Sequence, residues 1–78
     1  MNVPGIRKAL ERLKREHAIR HESDKSIAYM DAVVRVGLRA CDEWEKYSYA
    51  EDALTERIRR RLAVIADILR ESGVGVEG

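Results

Sequence analysis

From residue 6 to residue 72 the chain contains no proline and a single glycine, Gly37; Pro4 and the other glycines lie at the two ends. Proline removes a helical hydrogen bond and clashes with the preceding turn, and glycine costs backbone entropy, so clearing both from the interior leaves helix as the default. The sequence therefore predicts an all-α protein. Drawn out as one helix, that stretch would run to roughly 100 Å and bury nothing of itself, so the chain must fold back or find partners.

At 78 residues the chain is one domain. A domain of this size buries only about 60% of the surface its unfolded form exposes, which leaves stability marginal without staples or self-association. A homo-oligomer is the expectation. With 45% hydrophobic residues but 5% aromatic and no Phe, the core must be built from Leu, Ile, Val and Ala. The lone Cys41 excludes an internal disulfide, and the zinc-site spacings of Cys and His are missing, so a reducing, cytoplasmic setting is expected with no cofactor. The first residues lack the apolar core of a signal peptide. The most apolar stretch, Leu62 to Leu69, is too short to span a bilayer and carries Asp67, so no membrane association is expected.

Caps supply the punctuation that glycine and proline do not. Ser23 and Asp24 are N-cap candidates, and Ser48-Tyr49-Ala50-Glu51 matches the capping box, while Ser72-Gly73 reads as a C-terminal stop. The predicted helices run from about Pro4 to Glu22, Asp24 to Tyr47 and Tyr49 to Ser72, giving a small antiparallel three-helix bundle over residues 1–72. Residues 73–78 are expected to form a flexible tail.

Helical periodicity assigns the faces. Ile6, Ala9, Leu10 and Leu13 form a narrow stripe on the first helix, which continues into the polar His17, Arg20 and His21. On the second helix apolar residues sweep an arc of about 200°, too wide for one neighbour to cover, so this helix is the expected central element. Leu54, Ile58, Leu62, Ile65 and Leu69 make the stripe of the third, with Val64 and Ile68 at its edge. Gly37 lies within the central arc. A helix-turn-helix built on it fails, because the recognition helix would need an apolar residue near Glu43 and a polar face where Cys41 and Trp44 sit. Gly37 instead reads as a point of close helix approach.

A formal net charge of +1 conceals segregation: residues 7–20 carry +4, residues 21–56 carry −5 and residues 57–70 carry +4. Basic outer helices complementing an acidic middle one is the simpler reading. The alternative is a nucleic-acid binder using Arg7, Lys8, Lys14, Arg15, Arg59 and Arg60 on phosphates. His17 and His21 share a helix face at i,i+4, the spacing by which two imidazoles hold a metal, but nothing in the sequence completes that site. Asp42-x-x-Glu45 resembles one half of the paired carboxylate blocks of all-α nucleotide pyrophosphohydrolases, and no second block follows. Enzymatic use is not expected.

Asp42, Glu43 and Glu45 sit where the C-terminal dipole of the second helix disfavours anions, which invites a partner. Trp44, Tyr47 and Tyr49 cluster beside them, and Tyr and Trp are enriched at interface hot spots. The sequence thus points to a non-enzymatic helical protein–protein interaction module, an adaptor, inhibitor or regulatory subunit acting as a homodimer. Its expected self-association surface is Tyr29, Val33, Val36, Ala40, Trp44 and Tyr47, and its expected partner-binding corner runs from Asp42 to Asp52.

Overall fold

The computed structural model describes residues 2–19, 25–47 and 53–76, and the side chains of 17–19 and 25–27 lie outside that description. The chain forms α1 (Val3–Ile19), α2 (Lys25–Tyr47) and α3 (Ala53–Glu71). The proposed caps at Ser23, Asp24, Ser48 and Glu51 fall outside the described residues.

α1 starts one residue before the predicted Pro4. Asn2 is its cap: Oδ1 accepts from Gly5 N at 3.1 Å, and the Asn2 carbonyl takes the first helical bond from Ile6 N. α3 ends in a Schellman motif. Gly73 adopts φ +81°, its N donates to Arg70 O at 3.1 Å, and Val74 N donates to Leu69 O at 2.9 Å. The left-handed φ is what this stop requires of Gly73.

Contacts along the helices establish an antiparallel bundle. Arg7, early in α1, reaches Asp42 and Glu45, late in α2. In the other pair, Thr55 Oγ1 at the start of α3 donates to Tyr47 O at the end of α2, while Ser72 lies against Met30. α1 and α3 therefore run the same way and meet each other far less than either meets α2. The result is a rod of 41 × 20 × 17 Å.

The core holds Ile6, Leu10, Ile58, Leu62 and Leu69 almost without exposure, with Val33, Val34, Ala40 and Cys41 from α2. Gly37 is the meeting point of all three helices. A Cβ placed on it would lie 2.7 Å from Leu10 Cδ1 and 3.1 Å from Ile65 Cγ2, so the missing side chain is what lets α1 and α3 close on α2. α2 runs through Gly37 without a break, as the rejection of a helix-turn-helix implied.

Val74 and Val76 pack against the core, and Arg12 Nη2 donates to Gly75 O at 3.3 Å. Once the Schellman turn reverses the chain, these two valines cover apolar surface beside α1 that the helices leave open.

Candidate functional site

In the described part of the acidic corner, Arg7 of α1 bridges Asp42 and Glu45 of α2. Arg7 Nη2 lies 2.8 Å from Asp42 Oδ1 and 3.0 Å from Glu45 Oε1, and Nε donates to the same Glu45 oxygen at 3.1 Å. The bond to Asp42 raises the guanidinium pKa above its ordinary value, outweighing the opposing desolvation. Asp42 and Glu45 are spaced i,i+3 on one face of α2, the spacing that lets one planar fork serve both. They latch α1 to α2, and both carboxylates remain largely exposed. Glu43, on another face, contacts Arg61 of α3 and Arg39 of α2, each at 3.6 Å.

The aromatic residues beside this corner are part of the bundle's end. Trp44 and Tyr47 are half-buried against the core; Arg59 stacks over the Trp44 ring at 5.6 Å and Lys46 over Tyr47 at 5.4 Å. Tyr49 lies outside the described residues.

Of the expected self-association surface, Val33 and Ala40 are core residues and cannot be contact residues of the folded monomer. They point at the point of convergence around Gly37, whereas Tyr29 and Val36 are turned outward, 57% and 45% exposed. Leu54, assigned to the α3 stripe, is also outward at 44%, and Val64 is 57% exposed. Tyr29, Val36 and Glu43 recur every seven residues and so share one row of α2; Leu54, Arg61 and Ile68 do the same on α3. The Glu43–Arg61 contact sets these antiparallel rows side by side. That register brings Val36 level with Ile68, with Val64 on the next turn. A seam of exposed apolar side chains from two helices results, and the α3 half of it was not part of the predicted surface. The seven-residue spacing with opposite charges at 43 and 61 was the available signal.

On the opposite flank of α2, beside α1, lies a groove of about 610 Å³. Val34 and Leu38 form its base, and Lys14, Arg35 and Arg39 stand along its sides. No sequence pattern marked it, because it depends on how far α1 stands from α2.

The basic residues are dispersed. Arg7 is committed to the latch, Arg59 to Trp44 and Glu56, and Arg60 to Glu56 at 3.5 Å. Lys8, Lys14 and Arg15 are exposed and have no acidic partner among the described residues. Lys14 faces the groove, while Lys8 and Arg15 border a second, smaller depression next to Gly75. Of the six cations named for a nucleic-acid surface, three thus already contact acidic or aromatic side chains. His21 and the side chain of His17 lie outside the described residues. Among the described residues no three His, Cys, Asp or Glu side chains are grouped as metal ligands would be, and no helix is long and apolar enough to cross a membrane.

Cys41 is a buried free thiol, and desolvation raises its pKa against the lowering influence of Arg7. Burial keeps the unreactive protonated form. Compared with family models, curated proteins and solved structures, the chain shows no significant match.

Proposed function

We propose that this protein is a non-enzymatic helical interaction module that works as a homodimer, joined through the α2/α3 seam. The observation that supports the reading is the exposure of Tyr29 and Val36 on α2 and of Val64, one turn from Ile68, on α3, two helices whose faces the Glu43–Arg61 contact sets side by side. An exposed cluster of large apolar side chains on a small soluble domain marks a contact surface more often than chance. A stable interface takes about 800 Å² from each partner, and a face of the size this rod offers along its length supplies that area. A twofold arrangement makes the seam its own partner, with valines at the centre and the charged pair at the rim.

The seam, not the acidic corner, carries this reading; at the corner Arg7, a single cation, already bridges Asp42 and Glu45. Sedimentation equilibrium at micromolar concentration tests it. The wild type is expected to sediment as a dimer, and Val36→Glu with Val64→Glu as a monomer of unchanged helical content. A monomeric wild type refutes the reading. An adaptor, an inhibitor and a regulatory subunit would all present such a module.

A further inference from the structure

The groove on the α1 side of α2 has a charge balance that its residue composition hides. Asp42 lines it, but Oδ1 of Asp42 is held by Arg7 at 2.8 Å. Asp31 lines it too and is not without a partner of its own. Lys14 and Arg35 have no acidic partner among the described residues, and Arg39, with its side chain 83% exposed, has only the 3.6 Å contact to Glu43. The groove therefore offers Leu38 beneath three cations, Lys14, Arg35 and Arg39, against two carboxylates, one of them bound by Arg7.

Its shape is that of a short rod. The lining residues of α2 run from Asp31 to Asp42, about 16 Å at 1.5 Å per residue, or three helical turns. Arg35 and Arg39 are spaced i,i+4, so their heads repeat along the wall at the interval at which a helix presents carboxylates four residues apart. We propose that this groove docks an acidic amphipathic helix of a partner protein. Its aliphatic residues would lie on Leu38, and glutamates or aspartates at i,i+4 would meet Arg35 and Arg39, with a further carboxylate at Lys14.

A second copy of this chain fits the groove poorly. The exposed side of α3 carries Arg57, Arg60 and Arg61, which would oppose Arg35 and Arg39, and such a head-to-groove contact propagates without closing. An acyl chain fits poorly as well, since Val34 is already buried in the core and too little apolar lining remains to enclose one.

The docking proposal extends the interaction-module reading and uses the opposite flank of α2, so the two can fail separately. The test uses a fluorescently labelled synthetic helix of about four turns, constrained by an i,i+4 staple, with leucines along one face and flanking glutamates four residues apart. A second peptide carries lysine in place of each glutamate. Anisotropy titrations are run at low and physiological salt with the full chain and with the Arg35→Glu, Arg39→Glu double variant, both of whose changes are at exposed positions. The wild type is expected to bind the glutamate peptide, more weakly as salt rises. The double variant should lose about tenfold or more and prefer the lysine peptide. Failure of the wild type to bind, or equal binding by the double variant, overturns the proposal. A change in the sedimentation of the Arg35→Glu single variant, which leaves the Arg39–Glu43 contact in place, overturns it too, by placing a second copy in the groove. If instead Val36→Glu with Val64→Glu leaves peptide binding intact while altering sedimentation, the groove stands independently of the dimer seam.

Discussion

Replacing Gly37 by alanine sets two effects of opposite sign against each other. At an exposed helical site the change stabilises by about 1 kcal/mol, because alanine gives up less backbone entropy. At Gly37 the new methyl would lie 2.7 Å from Leu10 Cδ1 and 3.1 Å from both Leu10 Cδ2 and Ile65 Cγ2. Carbon atoms rest at about 3.5–4.0 Å, so one contact must open by about 1 Å. Rotating Leu10 exchanges one crowded methyl for the other, Leu10 has no exposed surface to move into, and β-branched Ile65 is stiff at χ1. Overpacking of this kind costs about 1–3 kcal/mol, so the sum is a net loss near 1 kcal/mol. For a chain of 78 residues, that is a fall in Tm of about 4–8 °C.

The same substitution in a Leu10→Val background should reverse sign. Valine removes both colliding methyls at a cost of about 1–2 kcal/mol by itself, and Gly37→Ala then fills part of the space and recovers its helical gain. The expected coupling between the two positions is about 2 kcal/mol. Urea denaturation of the four proteins, followed by far-UV circular dichroism, measures the cycle. If Gly37→Ala stabilises the wild type by the amount expected of an exposed helix, or has the same effect in both backgrounds, then Gly37 is not what sets the helix spacing.

Three further outcomes follow from particular contacts. Arg7→Ala should destabilise by about 1 kcal/mol in low salt and by less in high salt, because the acidic partners are largely exposed and the bond is screened; a cost insensitive to salt would assign the loss to packing of the arginine stem. Gly73→Ala should cost about 1 kcal/mol, since the residue sits at φ +81° with open space around it, and a neutral effect in the same denaturation assay would contradict the Schellman stop. For Cys41 the folded state raises the thiol pKa above its ordinary value of 9.0. Burial of the neutral thiol therefore contributes fully below that value and is lost as pH climbs through it toward the folded pKa. The stability of the wild type relative to Cys41→Ala should fall above pH 9, and a constant difference would show that the thiol is not desolvated.

The breaker-free interior and the 3.6-residue stripes were sufficient to determine three helices, an all-α bundle and the central place of α2. These depend on backbone propensity and on which side chains leave water, and both are properties of short stretches. The role of Gly37 was legible for the same reason: a lone glycine in an apolar arc has a small set of uses. The surfaces were not legible, because a residue's exposure depends on where the neighbouring helices stand. Val33 and Ala40 share the helical arc with Val36, yet the first two are buried and the third is open. Asp42 and Glu45 read as unsatisfied until α1 brought Arg7 from 35 and 38 residues away in the chain. Periodicity assigns a residue to a face; only the packing of three helices decided whether that face is core, seam, groove or latch, because burial and charge pairing are set by distances between segments that the sequence holds far apart.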